Sequence, residues 1–126
     1  MRYDLLYLAA GALLGVYLRY RITGESLFLG SLPISVLLVN VIGSFILGMS
    51  SGAVSSLGLD ERYTLLIGIG FCGSFTTMSS FAYETVSLIG VGELMTAAFD
   101  VLLNVGASLA AIVLGRAVIS LLFGLG

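Results

Sequence analysis

The chain has 126 residues, of which 59% are hydrophobic and only 10% are charged, and its formal net charge is −2. It has no histidine and a single cysteine, so it lacks the residues that build most zinc sites and nucleophile–base pairs, and an enzyme is a poor candidate. The small negative charge also argues against a nucleic-acid partner, because binding to a phosphate backbone needs many Lys and Arg side chains.

Four segments are apolar and long enough to cross a lipid bilayer, which takes about 20 residues in a helix. They cover about 4–22, 33–55, 63–88 and 95–122. Glu84 and Asp100 lie inside the third and fourth segments. The sequence therefore predicts an all-α membrane protein in which residues 1–126 form a single transmembrane domain of four helices. Because four helices leave little interior for a pore, a transport function implies an oligomer.

The first two helices carry glycines spaced four residues apart. Gly11 and Gly15 in the first helix, and Gly48 and Gly52 in the second, form pairs that let neighbouring helix backbones approach closely. We interpret them as packing residues rather than ligand contacts. Pro33, whose missing N–H is harmless at a helix start, is expected in the first turn of the second helix.

The third helix contains the run G-F-C-G-S-F-T-T-M-S-S-F over 70–81, which a lipid-facing span does not need. Its glycines and hydroxyl side chains weaken the helix in the middle of an uncharged stretch. Since backbone N–H and C=O groups must find partners inside a membrane protein, irregular backbone at that depth is tolerated only beside protein or a wet cavity. The run therefore predicts a break in the third helix and a route for a small solute.

The second and fourth helices share a short internal similarity, because L-V-N-V-I-G-S-F over 38–45 resembles L-L-N-V-G-A-S-L over 102–109. In each segment an Asn and the Ser four residues later lie on one helix face. Asn40 and Asn104 need hydrogen-bond partners in the middle of a helix, and interhelical packing and a functional role explain them equally well. A path lined by neutral donors, with an Arg near its mouth, favours a small anion over a cation.

The arginines are nearly balanced between the two ends of the predicted bundle. One end carries Arg2, Arg62 and Arg116, and the other carries Arg19 and Arg21. Because the Lys and Arg bias sets the orientation of a membrane protein, a chain without it can insert both ways up. The balance favours a dual-topology antiparallel dimer over a weakly biased protein that its lipids or a partner orient.

Together these motifs resemble the Fluc family of fluoride channels across essentially the whole chain. V-N-V-I-G-S-F-I-L-G over 39–48 is close to the family's V-N-x-x-G-S-F-x-x-G. G-F-C-G-S-F-T-T-M-S-S-F-A-Y-E over 70–84 is close to G-F-C-G-G-x-T-T-F-S-T-F-S-x-E. The glycine-rich first helix that ends in Arg19 and Tyr20, and the Asn104 and Ser108 pair, are weaker matches.

The resemblance implies an antiparallel homodimer with two pores, passive fluoride flow and a structural sodium ion at the dimer centre. It makes Asn40 the pore amide and Phe81 one pore phenylalanine, and it assigns the sodium to the backbone carbonyls of Gly73 and Thr76. The other residues of the implied fluoride pathway are Arg19, Thr77, Met78, Ser80, Glu84 and Ser108. The implied setting is the inner or plasma membrane of a prokaryote.

Three positions depart from the family pattern. Met78 replaces the other pore phenylalanine, Ser74 replaces the second glycine of the break, and Val36 stands where the family often has threonine. The methionine leaves open that the chain forms one half of a heterodimer with an unequal partner.

Two other functions stay open from the residues alone. A small multidrug/proton antiporter is also a dual-topology dimer of four-helix chains, but it needs a titrating carboxylate within its first helix, and residues 5–18 contain none. A non-transporting assembly subunit would use the glycine faces for packing only. Fluoride flux is the property that separates both of these from a channel.

Overall fold

A computed structural model describes residues 3–124 of the chain. Four of its helices are long and apolar enough to cross a membrane, and they span Asp4–Thr23, Ser35–Leu57, Glu61–Gly90 and Leu94–Phe123. We name the first two α1 and α2 and the last α6. The predicted all-α architecture with four spans is confirmed.

The third span is divided into several pieces. It begins with the short helix α3 (Glu61–Tyr63), continues as a π-helical segment (Thr64–Cys72) and ends its first half in α4 (Gly73–Phe75). Its second half is α5 (Met78–Gly90). The break predicted for this helix is therefore present, and it lies between α4 and α5.

A short β-hairpin connects α1 to α2, in which β1 (Phe28–Leu29) pairs antiparallel with β2 (Leu32–Pro33). Gly30 at its tip has φ 64°, a left-handed conformation that glycine adopts without steric penalty. The expectation that Pro33 belongs to the first turn of the second helix is wrong. Pro33 faces Phe28 across the hairpin, and the N–H of Ile34 bonds the Leu27 carbonyl at 2.9 Å, so the helix starts only at Ser35.

Helices α2 and α6 run side by side in the same direction. The Asn40 side chain meets Asn104, and two turns later along both helices a Cβ at Gly48 would overlap the backbone of Ile112. A Cβ at Gly115 of α6 would likewise overlap the Phe45 carbonyl of α2. This pair of helices therefore has a polar contact near one end and a close backbone contact farther along.

Helix α1 packs against the π-helical segment through its own glycine pair. A Cβ at Gly11 would overlap the Leu66 carbonyl oxygen, and one at Gly15 would overlap the Phe71 carbonyl oxygen. The close helix approach predicted from the glycine spacing is confirmed for these residues. A π-helix is wider than an α-helix and is uncommon, frequently occurring at functional sites, and here it leads directly into the break.

The arginines that the structure describes divide between the two ends of the bundle as the sequence predicted. The Arg62 guanidinium lies over the Tyr7 ring, 5.9 Å from its centroid, beside the start of α1. Arg116 packs against Gly52 towards the end of α2. Arg19 and Arg21 lie in the last turns of α1, at the opposite end. Arg2 lies outside the described residues.

Candidate functional site

The centre of the site is the break in the third span, where two consecutive residues leave the helical conformation. Thr76 has φ −76° and ψ 155°, and Thr77 has φ −149° and ψ 109°, so both are extended. The Thr77 hydroxyl then accepts the backbone N–H of Ser80 at 3.2 Å and caps the start of α5. The run of glycine and hydroxyl residues thus ends one helix and begins the next within two residues.

The break diverts the two N–H groups that would otherwise bond the carbonyls of Gly73 and Thr76. In a continuous α-helix the N–H of a residue bonds the carbonyl four residues earlier. Here the Thr77 N–H bonds the Asn40 Oδ1 at 2.8 Å, and the Ser80 N–H bonds the Thr77 hydroxyl. Both carbonyls therefore lose their ordinary helical partners at the residues to which the family resemblance assigned a sodium ion.

Asn40 fills the break from the neighbouring helix α2. Its Oδ1 accepts the Thr77 N–H, and its Nδ2 donates to the Thr77 carbonyl at 3.3 Å and to Asn104 Oδ1 at 3.0 Å. One side-chain amide thus satisfies both backbone groups of an extended residue inside a helical span. The hydrogen bond between Asn40 and Asn104 is the interhelical packing that was one explanation for the two asparagines. Asn40 additionally pairs with the backbone of the break.

Asn104 is itself held by a carboxyl group on the same helix. Its Nδ2 donates to Asp100 Oδ1 at 2.8 Å and to the Asp100 carbonyl at 3.2 Å. The other carboxyl oxygen of Asp100 accepts the Thr85 hydroxyl of α5 at 2.6 Å. A continuous row of hydrogen bonds therefore joins α5, α6, α2 and the break.

A cavity of about 400 Å³ lies on one side of Asn40. Its polar lining comes from α2, the break and α6, and consists of Asn40, Ser44, Gly73, Thr76, Thr77, Asn104 and Ser108. Met78 also borders it. The Ser108 Oγ is buried and has no hydrogen-bond partner among residues 3–124, so a donor is available there for a ligand.

A second cavity of about 400 Å³ lies beside α5 and is lined by Thr23, Val36, Ser79, Ser80, Tyr83 and Glu84. Within the described part of the chain, the buried Glu84 Oε2 also lacks a hydrogen-bond partner. The predicted pathway residues are therefore divided between two cavities. Asn40, Thr77, Met78 and Ser108 border the first, whereas Ser80 and Glu84 border the second.

Arg19 reaches the break from α1, where its guanidinium donates to the Thr76 carbonyl at 3.4 Å. Phe81 and Met78, the two positions of the expected phenyl pair, have opposite environments. Phe81 is 6% exposed and borders neither of the two cavities, whereas Met78 is 72% exposed. Within one chain these two side chains do not form a matched pair.

Two members of the hydrogen-bonded row, Asp100 and Thr85, were not identified as site residues from the sequence. The available signal was the carboxylate itself, since an ionisable side chain within a membrane span indicates a function by default. Asp100 also precedes Asn104 by four residues, which places both on one face of α6. Thr85 carried no comparable signal, because a single threonine in a helix commonly bonds its own backbone.

The chain is similar to one family model and to several relatives that share one name. Residues 6–116 match the family model described as CrcB-like protein, Camphor Resistance (CrcB). A relative named fluoride-specific ion channel FluC from Nitrosopumilus maritimus is 44% identical over 117 residues, which cover 93% of this chain and 93% of the relative. Relatives of the same name from Methanocaldococcus jannaschii and Sulfurihydrogenibium sp. are 40% and 42% identical, over 90% and 88% of this chain and 91% and 95% of their own length.

Proposed function

Because the chain belongs to the CrcB-like family, we propose that it is a fluoride-selective channel that lowers cytoplasmic fluoride by passive efflux. It acts as a single transmembrane domain in the inner or plasma membrane of a prokaryote. The many relatives named as fluoride-specific ion channels support this assignment, since three of them match about nine-tenths of the chain. The proposed activity is the transport of an ion, in which no covalent bond is made or broken.

The observation that carries the proposal is the first cavity, in which several neutral donors lie among apolar side chains. Fluoride is small and strongly hydrated, so a pore must replace its water shell with fixed donors and still release the ion. Amide and hydroxyl groups of Asn40, Thr77 and Ser108 border this cavity, and the Ser108 hydroxyl has no partner among the described residues. Neutral donors meet both requirements, because they bind an anion without the strong attraction of a fixed positive charge.

Within this proposal Asn40 offers its amide to the ion. The hydrogen bond from Asn40 Nδ2 to the Thr77 carbonyl is long, at 3.3 Å, and therefore weak. The N–H group in this bond is the one that an ion in the cavity can share. Phe81 supplies a phenyl edge, which is weakly positive. Met78 supplies a thioether at the position of the family's other pore phenylalanine. Arg19 attracts the anion near the mouth of the path. Ser80 and Glu84 belong to a second stage of the pathway, beside the other cavity.

We propose that the working unit is a dimer of oppositely oriented copies. The polar groups that border the first cavity would be unsatisfied if they faced hydrocarbon, so protein must cover them. A second copy is the natural cover, and the balanced arginines favour insertion in both directions. The exposed Met78 beside the first cavity is then a surface for the partner, either an identical chain or a paralogue.

A structural sodium ion at the centre of this dimer is part of the proposal. The carbonyls of Gly73 and Thr76 fit it, because their ordinary helical partners are diverted and both residues border the same cavity. Carbonyl oxygens are suitable ligands for a hard cation. Two copies related by a twofold axis would supply four such oxygens. The Thr76 carbonyl also accepts the Arg19 guanidinium at 3.4 Å, and its second lone pair is free for a cation.

Efflux from proteoliposomes loaded with potassium fluoride in sodium-containing buffer tests the function. With a potassium ionophore present to dissipate voltage, a fluoride electrode should record rapid efflux without any imposed proton gradient, and chloride-loaded vesicles should release very little chloride. A multidrug/proton antiporter would instead move cationic substrates in response to a pH gradient. Absence of fluoride flux from protein that has correctly assembled would leave the assembly subunit as the explanation.

The dimer is tested by fixing the orientation of the chain. Two or three added Lys at one terminus should bias insertion and abolish fluoride resistance when the variant is expressed alone. Co-expression with a version of opposite bias should restore resistance. Full resistance from one fixed orientation would contradict the antiparallel arrangement.

The sodium is tested separately from fluoride flux by replacing sodium with N-methylglucamine on both sides of the membrane. Dimer stability and channel activity should fall, while a sodium gradient alone should drive no fluoride movement, since the ion does not travel. Unchanged stability and activity in rigorously sodium-free buffer would rule out the site and leave the fluoride channel itself intact.

A further inference from the structure

We propose that Asp100 is a positioning residue that fixes the direction of the hydrogen bonds running through Asn104 to Asn40. This inference rests on the proposed fluoride channel and adds to it a residue that acts at a distance from the ion. Asp100 is 0% exposed and borders neither of the two cavities, so it acts through its neighbours rather than by contact with fluoride.

The row of hydrogen bonds has a donor at one end and an acceptor at the other. At the break, the Thr77 backbone N–H can only donate, so the oxygen of the Asn40 amide must face it. At the far end, the carbonyl of Asp100 can only accept, and its side-chain Oδ1 lies close by, so the Asn104 amide turns its nitrogen towards them. These two ends agree on one orientation for both amides, independently of how oxygen and nitrogen are assigned within them.

Reversing either amide would disrupt the whole row. If Asn104 turned over, its nitrogen would face the nitrogen of Asn40, which are two donors separated by about 3 Å. Asn40 could relieve this only by turning its oxygen away from the Thr77 N–H, which would leave that backbone group unpaired at membrane depth. The direction set at Asp100 is therefore the direction in which Asn40 presents its N–H groups.

Thr85 holds the carboxyl group in place from the neighbouring helix. Its hydroxyl lies 2.6 Å from Asp100 Oδ2, and the side chain also contacts the Phe81 carbonyl at 3.0 Å. This contact fixes the rotation of the carboxyl group, so that Oδ1 points to Asn104. The result is a rigid chain from α5 to the pore amide.

The test compares two substitutions of similar size. Asp100→Asn keeps a side-chain oxygen for Asn104, and its new NH₂ group can donate to Thr85, whereas Asp100→Leu removes both contacts. Each variant is purified, its assembly and thermal stability are measured, and fluoride efflux is recorded per assembled protein. We expect Asp100→Asn to stay within about threefold of the parent and Asp100→Leu to lose about tenfold or more, the effect of one hydrogen bond.

The pattern of outcomes separates this inference from the proposed function. No efflux from the parent would overturn both. Efflux from assembled Asp100→Leu equal to that of the parent would overturn only the positioning role. Equal losses in Asp100→Asn and Asp100→Leu would also overturn it, because both variants keep the backbone carbonyl and only Asp100→Asn keeps a side-chain oxygen for Asn104.

If Asp100→Leu does not assemble, Thr85→Val tests the positioning role instead. This substitution exchanges one hydroxyl for a methyl group of the same size. We expect about a threefold loss of efflux per assembled protein, because the carboxyl group can then rotate. Ser87→Ala is the matched control on the same helix. Among residues 3–124 the Ser87 hydroxyl bonds the Tyr83 carbonyl alone, on an exposed face, so this variant should leave efflux unchanged. Parental efflux from Thr85→Val would overturn the proposal.

Discussion

The two parts of the contact between α2 and α6 are held together by opposite means. Near the break, Asn40 meets Asn104 through a hydrogen bond whose direction matters. Two turns farther along, Gly48 and Gly115 let the two backbones come so close that no side chain fits between them. One part of the same helix pair thus depends on polarity, and the other depends on shape.

Because of this difference, the two parts tolerate different kinds of substitution. Glycine contacts in a membrane gain their stability from van der Waals packing of the backbones, so they respond to volume and are indifferent to charge. A buried polar row is stabilising only if every member finds its partner, so it responds to the loss of a single donor or acceptor. We therefore expect substitutions at the polar part to change fluoride flux, and substitutions at the glycine part to change assembly.

The largest effect is expected from Asn40→Asp, which has nearly the same shape as the parent residue. The carboxylate cannot donate to the Thr77 carbonyl or to Asn104, and it places a negative charge beside an anion path. Fluoride efflux should fall by about a hundredfold or more, since unpairing a charged group costs about 3 kcal/mol. The chain should still fold, because the glycine contact between α2 and α6 is untouched.

Asn40→Ser sharpens this result, because it keeps a donor and should reduce efflux less than Asn40→Asp. Both variants are measured in proteoliposomes with equal amounts of assembled protein, as determined by size-exclusion chromatography. Normal efflux from assembled Asn40→Asp would show that Asn40 contributes to packing and not to the fluoride path.

A smaller effect is expected at Phe81 and Met78, which differ in burial. Phe81→Ile should lower efflux by about tenfold, because it removes the weakly positive ring edge from a buried position. Met78→Leu should change efflux by less than about twofold, since methionine and leucine are similar in volume and neither has a ring. Met78→Phe should be tolerated.

The check is to measure the thermal stability of each variant together with its efflux, since a buried phenylalanine also contributes to packing. If Phe81→Ile and Met78→Leu lower efflux equally at equal stability, their role is steric rather than electrostatic.

The smallest effect on flux is expected from the glycine part, where Gly48→Ala should act on stability alone. The added Cβ would meet the Ile112 backbone, which cannot move aside as a flexible side chain could. Overpacking of this kind costs about 1–3 kcal/mol, which should appear as a lower thermal midpoint and less assembled protein. Efflux per assembled protein should stay at the parental value.

Gly106→Ala on α6 is the matched control, because a Cβ there would meet nothing within 4 Å. It should assemble as well as the parent, since alanine has the higher helix propensity. A Gly48→Ala variant that is as stable as Gly106→Ala would show that the two helices separate more easily than their backbone contact implies.

Much of the fold was predictable from the sequence for a simple reason. Hydrocarbon is a uniform solvent that selects long apolar helices, so the four spans follow from composition and length alone. The break followed from the same rule, because glycines and hydroxyl residues at membrane depth need a special explanation. The hairpin was missed because Pro33 fits either a helix start or a strand, and only its pairing with Phe28 decides between them.

Composition and spacing alone therefore predicted four apolar spans, the break in the third one and the close approach at Gly11, Gly15 and Gly48. The folded structure was needed to show that Asn40 meets Asn104, that the Thr77 N–H bonds Asn40, and that the buried Asp100 accepts a hydrogen bond from Asn104. The physical reason is range. Hydropathy and helix spacing act within one segment, whereas the direction of a hydrogen bond is set by the group that lies opposite it, and that group belongs to another helix.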